Sequence, residues 1–231
     1  MAKQLPLQKE RLIEPDRVPE GVLLQDPGDR LSWGSSTFII VWLAIWCGVS
    51  FPMFVVFLLA FIAEPMPATF FSVLFVSLFA VIGLVGIGWA LRSLLVIAKL
   101  QPGEIVLPSY PLRLGESLNI RYRRQLRRGS ISRPGSIRAK WLCYEWVQYR
   151  QGTSTRTVKH TLWETDLPER SVSAGTRRVE YDAQLHVNPH YPPSFDADSN
   201  QVRWELQVSV KLPGVPKDSS HFRLKIIPET V

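Results

Sequence analysis

Residues 37–63 read TFIIVWLAIWCGVSFPMFVVFLLAFIA, 27 positions with no charged side chain. A helix needs roughly 20 apolar residues to cross the ~30 Å hydrocarbon layer of a bilayer, so the stretch is long enough. A second run begins near Thr69 and stays uncharged to Leu91, with Arg92 next. Their length disfavours the competing arrangement, a pair of helices buried in a soluble core. A cleavable signal peptide would be shorter and nearer the start, without the acids that precede this run. A mitochondrial presequence would also be acid-poor. The two runs therefore predict two transmembrane helices over about 37–63 and 69–92.

The flanks give an orientation. The connection Glu64–Pro67 has no Lys or Arg, while Lys3, Lys9, Arg11, Arg17 and Arg30 precede the first span and Arg92 and Lys99 end the second. The positive-inside rule then puts both termini in the cytoplasm, with a short outside turn that Pro65 and Pro67 suit. Cys47 lies in a span and Cys143 far beyond it, so the two cannot meet, which agrees with a reducing compartment. Ala44-x-x-x-Gly48 and Gly86-x-x-x-Ala90 are small-residue spacings that allow close helix approach in lipid. They fall at similar depth in an antiparallel hairpin and are expected to pack on each other.

Outside the hairpin the composition changes. Residues 1–36 are polar, with five Lys/Arg and six Asp/Glu, and read as a cytoplasmic N-terminal tail. From Lys99 onward there are 21 Lys/Arg against 13 Asp/Glu, or +8, so the basicity behind the net charge of +7 belongs to residues 99–231. There the period of hydrophobicity becomes two. In QVRWELQVSVKL, Val202, Trp204, Leu206, Val208 and Val210 share one face and Arg203, Glu205, Gln207 and Ser209 the other. That alternation marks a half-buried antiparallel strand. Similar runs lie at 117–126, 181–187 and 222–226, with further strands expected at 104–114, 137–149 and 156–163. About seven strands and no amphipathic helix predict an all-β antiparallel sandwich of immunoglobulin-like layout.

VNPHYPPSFDADSNQVRWELQVSV (187–210) and PLRLGESLNIRY (111–122) resemble segments of the C-terminal sandwich of arrestin-like proteins. The first carries a Pro-Pro-Ser connection, Pro192–Ser194, before an amphipathic strand with an aromatic, Trp204, near its start. The second is similar to the Gly-Glu strand entry of those sandwiches. The resemblance spans about 110–231 and departs from the family in having one sandwich fused to a membrane hairpin. It implies an adaptor-like, non-enzymatic role.

Signals for chemistry are weak. His186 and His190 run from a strand into a Pro-rich loop, where a spacing of four has no helical meaning. DADSNQ (196–201) lacks the glycine and the terminal acid of a calcium loop and reads as a turn. Glu145 is expected to pair with a strand-face arginine such as Arg124, and Cys143 to be a packed thiol. No phosphate-cradling loop or nucleophile elbow occurs. The expectation is a protein without catalytic residues, metal or cofactor.

RYRRQLRRGSISRPGSIRAK (121–140) is the one concentrated feature, with eight Arg and Lys and no acid. Tyr122 alternates with Leu118 and Ile120 and should point into the core, leaving nothing to stack on bases, so no nucleic acid is expected. Arg127 and Arg128 just before Ser130 form a possible kinase site. A solvated strand edge and a contact with anionic lipid or an acidic membrane partner stand level. The contact reading takes Arg121, Arg123, Arg124, Arg127, Arg128, Arg133, Arg138 and Lys140 together. It draws support from topology: if one strand leaves the membrane after Lys99 and the next returns, the turn at 127–136 lies at the membrane end. The sequence thus predicts a two-span membrane protein presenting a basic cytoplasmic sandwich. Its role is an interaction or scaffold module for another membrane protein, or an accessory subunit held through the hairpin.

Overall fold

The computed structural model describes residues 15–26 and 33–229. Lys3, Lys9, Arg11 and Arg30, on which part of the orientation argument rests, lie outside the described residues. The chain divides into two compact units, residues 30–98 and a second unit built from both flanks of that segment.

In the first unit, α1 (Trp33–Ala63) and α2 (Pro67–Lys99) run through the two uncharged stretches. Both are long and apolar enough to cross a membrane. Away from the seam they share, their large side chains stand in the open, as at Phe38, Ile62 and Val85. The turn is tied by Thr69 Oγ1, which donates to the carbonyls of Glu64 and Met66. The seam differs from the sequence expectation. A Cβ on Gly86 would lie 2.6 Å from Leu43 Cδ2, and one on Gly83 would lie 3.1 Å from Cys47 Sγ. Trp46 Nε1 donates to the Phe79 carbonyl at 3.2 Å. Gly48 has nothing within 4 Å of its Cβ position, and Ala44 is exposed. Successive helical residues are turned by about 100°, so a seam through Leu43 and Cys47 points Ala44 and Gly48 elsewhere. The small residues of α2 meet large residues of α1, and Ala90 lines a shallow cleft with Ile39, Ile40 and Trp89.

The second unit is a β-sandwich. Its first sheet has the order β1 (Asp16–Val18), β2 (Gly21–Gln25), β3 (Glu104–Leu107), β5 (Ser117–Gln125), β8 (Arg178–His186). The second has the order β11 (Asp218–Leu224), β10 (Asn200–Lys211), β6 (Gly135–Gln151), β7 (Ser154–Val172), with β9 (Phe195–Asp196) also on β10. A short parallel pair, β4 (Leu112–Arg113) with β12 (Ile226–Ile227), completes it. Between the sheets lie Ile120, Tyr122, Tyr181 and Leu185 from one side and Trp141, Trp204, Leu206 and Phe222 from the other, all fully buried. The rings of Tyr122 and Phe222 meet edge to face across the layers, centroids 6.1 Å apart.

The N-terminal segment corrects the reading of a free tail. β2 pairs antiparallel with β3, Val22 opposite Leu107 through Gln25 opposite Glu104. Leu24 is buried in the sandwich. The pairing closes with Gln25 Nε2 donating to Glu104 Oε1 and Asp26 N to the Gly103 carbonyl. Gly103 is required there, because a Cβ would collide with Ser220 Oγ and the Tyr122 ring. The two helices are therefore an insertion in the β2–β3 connection.

Replacing residues 27–98 by a short Gly/Ser linker should give a soluble sandwich that unfolds cooperatively, whereas residues 99–231 alone should not. Circular dichroism melts of both decide it, and equal stability of the two would contradict the role of β1 and β2.

The candidate site at the basic end of the sandwich

Strand parity sorts the basic stretch. Along β5, Leu118, Ile120, Tyr122 and Arg124 face inward, and Arg121 and Arg123 face outward. The acids missing from the local sequence arrive from neighbouring strands. Arg121 Nε lies 3.0 Å from Asp182 Oδ1 on β8, and its Nη1 3.8 Å from Glu20. Arg123 also pairs with Glu20, in the turn between β1 and β2. On β6, Arg138 meets Glu169 at 2.8 Å and Lys140 meets Glu164 at 3.2 Å, both acids on β7. The Glu169 bond, direct and charge-assisted, holds the Arg138 guanidinium above its ordinary range. These exposed pairs add little stability, but together with the buried Arg124 they account for five of the stretch's positive charges.

Arg124 corrects the expectation most directly. It is 2% exposed, and its Nη1 lies 2.7 Å from Asp218 Oδ2 on β11 while Nε donates to the Gln101 carbonyl at 2.9 Å. It is a structural cation joining the two sheets and cannot touch lipid or a partner. It does not pair with Glu145, which sits on β6.

What remains is the turn after β5. Arg127 N donates to the Lys99 carbonyl at 2.8 Å, and its Nε to the Leu100 carbonyl at 3.1 Å. Lys99 is the last residue of α2, and its Nζ donates to the Gly214 carbonyl. Leu126 N and Ile131 N donate to the carbonyls of Arg177 and Thr176, so the β5–β6 and β7–β8 connections lie side by side. Arg127, Arg128 and Arg133 are exposed with no acid partner among the described residues, and Arg177, which sequence reading passed over, joins them. Ser130 is exposed within the same turn, while Ile131 beside it is buried.

A second cluster went unread because its members are far apart in sequence. On the outer face of the second sheet, Tyr144 Oη donates to Glu205 Oε2 at 2.7 Å. Gln207 Nε2 donates to Oε1 at 2.8 Å, and His221 Nδ1 lies 2.7 Å from that oxygen. Burial would raise the Glu205 carboxyl, but the bonds from His221, Tyr144 and Gln207 outweigh it and bring it to about 2. The shared hydrogen bond raises His221, with burial opposing and Asp26 assisting. Burial pushes the Tyr144 phenol up to about 12. Burial does the same to the Cys143 thiol, about 12, which makes it unreactive near neutral pH. The 196–201 segment is a hairpin whose turn, 197–199, joins β9 to β10, with Ala197 N donating to the Asn200 carbonyl. Among the described residues, no three His, Cys, Asp or Glu are grouped to hold a metal ion.

No family model matches the chain, and no curated protein matches it. Among solved structures it is similar to the crystal structure of Spo0M, a sporulation control protein from Bacillus subtilis, at 11% identity with a TM-score of 0.40. The match covers 55% of this chain and 49% of that one, so this chain spans about half the length of that structure.

Two outcomes test these assignments. Asp218→Asn should cost more than about 1 kcal/mol of unfolding free energy, because it removes the charge from a partner of the buried Arg124, whereas Asp182→Asn, at an exposed pair, should cost less than that. For the His221 pair, a raised imidazole stabilises fully below its ordinary ~6.5 and loses this as pH rises through the folded value. The lowered Glu205 stabilises above its ordinary ~4.3 and loses this as pH falls toward about 2. The Tm difference between the parent chain and His221→Gln should therefore be largest between these limits and shrink on both sides.

Proposed function

We propose that the chain crosses a membrane twice with both termini in the cytoplasm, and that its sandwich is a non-catalytic interaction module held at the bilayer surface. One observation carries the reading. The sandwich is assembled from segments on both sides of an insertion whose large apolar side chains stand exposed among the described residues. Lipid is the environment that accepts such a surface. Because β2 and β3 are neighbours in one sheet, the inserted helices must begin and end on one side of the membrane. The Glu64–Pro67 turn, which has no Lys or Arg, then lies opposite. The arrestin-like resemblance over 110–231 supports the adaptor role.

The unpaired cations give the module its attitude. Arg127, Arg128, Arg133 and Arg177 cluster beside Lys99, the residue at which the chain leaves α2. Each basic residue at an anionic surface contributes about 1 kcal/mol within a Debye length of ~8 Å. Four of them bring a few kcal/mol, far less than two spans already supply. They orient the sandwich rather than recruit it. Phosphate on Ser130 would subtract about two charges from this cluster and release it.

Ser130→Cys in a Cys47→Ala background provides the test, since the remaining native thiol, Cys143, is buried and leaves that position selectively labelled. An impermeant maleimide should label it in inside-out vesicles and not in intact cells. In nanodiscs, a dye there should be quenched by headgroup-quencher lipids more strongly with anionic than with zwitterionic lipid. Arg→Gln changes at positions 127, 128 and 133 should abolish the difference. Labelling from the outside would reverse the topology, and quenching blind to lipid charge would remove the orienting role. A stoichiometric membrane partner retained after deletion of the sandwich would favour an accessory subunit instead.

A further inference from the structure

The two sheets differ in length. β6 and β7 have 17 and 19 residues, whereas β5 and β8 of the facing sheet have nine each. The core face of the second sheet therefore continues past the end of the first. Along the inner face of β6, Trp141 and Cys143 are fully buried, but three rungs beyond Cys143 Tyr149 is 45% exposed. Val158, opposite Val147, is 46% exposed, and Phe195, in register with Val202, is 53% exposed. These are the large apolar side chains that the described part of the sandwich leaves most open, and all three share one face of one sheet.

The adjoining edge is free. β7 ends its sheet, and its half nearer Val172 is guarded. Register shifts fall opposite Ile137–Ala139 and Cys143–Tyr144. Pro168 lies in that half and accepts a hydrogen bond from the Tyr181 hydroxyl of β8. From Ser154 to Thr161 the register with β6 is unbroken, without proline, bulge or acid. Alternate N–H and C=O groups there point away from β6, the template to which an extended segment adds as a strand. Along the free edge and its neighbour β6 the charge is one-sided: Arg150, Arg156 and Lys159 lie there with no acid between Glu145 and Glu164. Asp196 and Asp198 stand on the far side of β6, in the β9–β10 hairpin.

Three occupants can be compared. A second copy laid on the edge would set these cations against their equals. An acyl layer offers no N–H or C=O row to pair with the free edge groups of Ser154–Thr161. A protein segment alternating apolar with acidic side chains matches both faces. Its apolar residues would cover Val158 and Tyr149, and its acids would meet Lys159 and Arg150 on the outer face. We propose that Ser154–Thr161 of β7, with this overhanging apolar face, docks such a segment of a partner protein as an added strand. The inference rests on the module reading above, and it names where the module binds and what.

The test uses the full chain in zwitterionic nanodiscs and a dye-labelled decapeptide of alternating Val and Asp, followed by anisotropy. Saturable binding is expected, weakened about tenfold or more by Val158→Asp, an exposed position, with melts confirming the fold. Arg150→Glu should weaken this peptide and strengthen one of alternating Val and Lys. Arg127→Gln should leave binding unchanged, which separates this site from the lipid-facing cluster. Absence of saturable binding, indifference to Val158→Asp, or equal binding of the Val/Lys peptide by the parent chain would each overturn the proposal.

Discussion

The pairing of β2 with β3 is the interaction on which the rest depends. It joins residues on either side of a connection of about 80 residues, and closing a loop of that length costs several kcal/mol of chain entropy by the logarithmic law. The return is a buried Leu24 beside Ile105 and Leu107, a covered β3 edge, and the Glu20 carboxylate delivered to Arg121 and Arg123. The helical hairpin shortens the effective gap, because two antiparallel helices bring their outer ends back to within roughly 10 Å.

Most of the architecture was readable from periodicity. Absence of charge located both helices, and alternation located β5, β6, β8, β10 and β11, because each of these buries one face and exposes the other. The segments that escaped lacked such contrast. β1 and β2 are three and five residues long and interrupted by Pro19 and Glu20, so no window showed a period. The second half of β7 is an exposed edge whose bulges reset the alternation. Arg124 was legible in principle: parity with Ile120 and Tyr122 put it in the core. Its charge argued against that place until Asp218, 94 positions away, came into view.

The basic stretch shows why local charge is a poor guide to a surface. Twenty residues without an acid suggested one continuous patch. In a sheet, the electrostatic neighbours of a side chain are those across the ladder, and these strands contributed Asp182, Glu164, Glu169 and Asp218. Only where the ladder ends, in the turn after Leu126, do the cations stay free. The same rule applied at the other end of β6 and β7, where the strands run on without partners and again leave cations and apolar groups together.

The clasp at Gln25, Asp26, Gly103 and Glu104 also has a mechanical meaning. A load that draws Gln25 and Glu104 apart across the ladder falls on its final rung, and it parts the strands from that end. Hydrogen bonds loaded in this way give one at a time, whereas bonds sheared along the strand axis resist together. The sheet is therefore weakest toward separation of β2 from β3 at the rung next to the inserted segment, and strongest toward a pull along the strands.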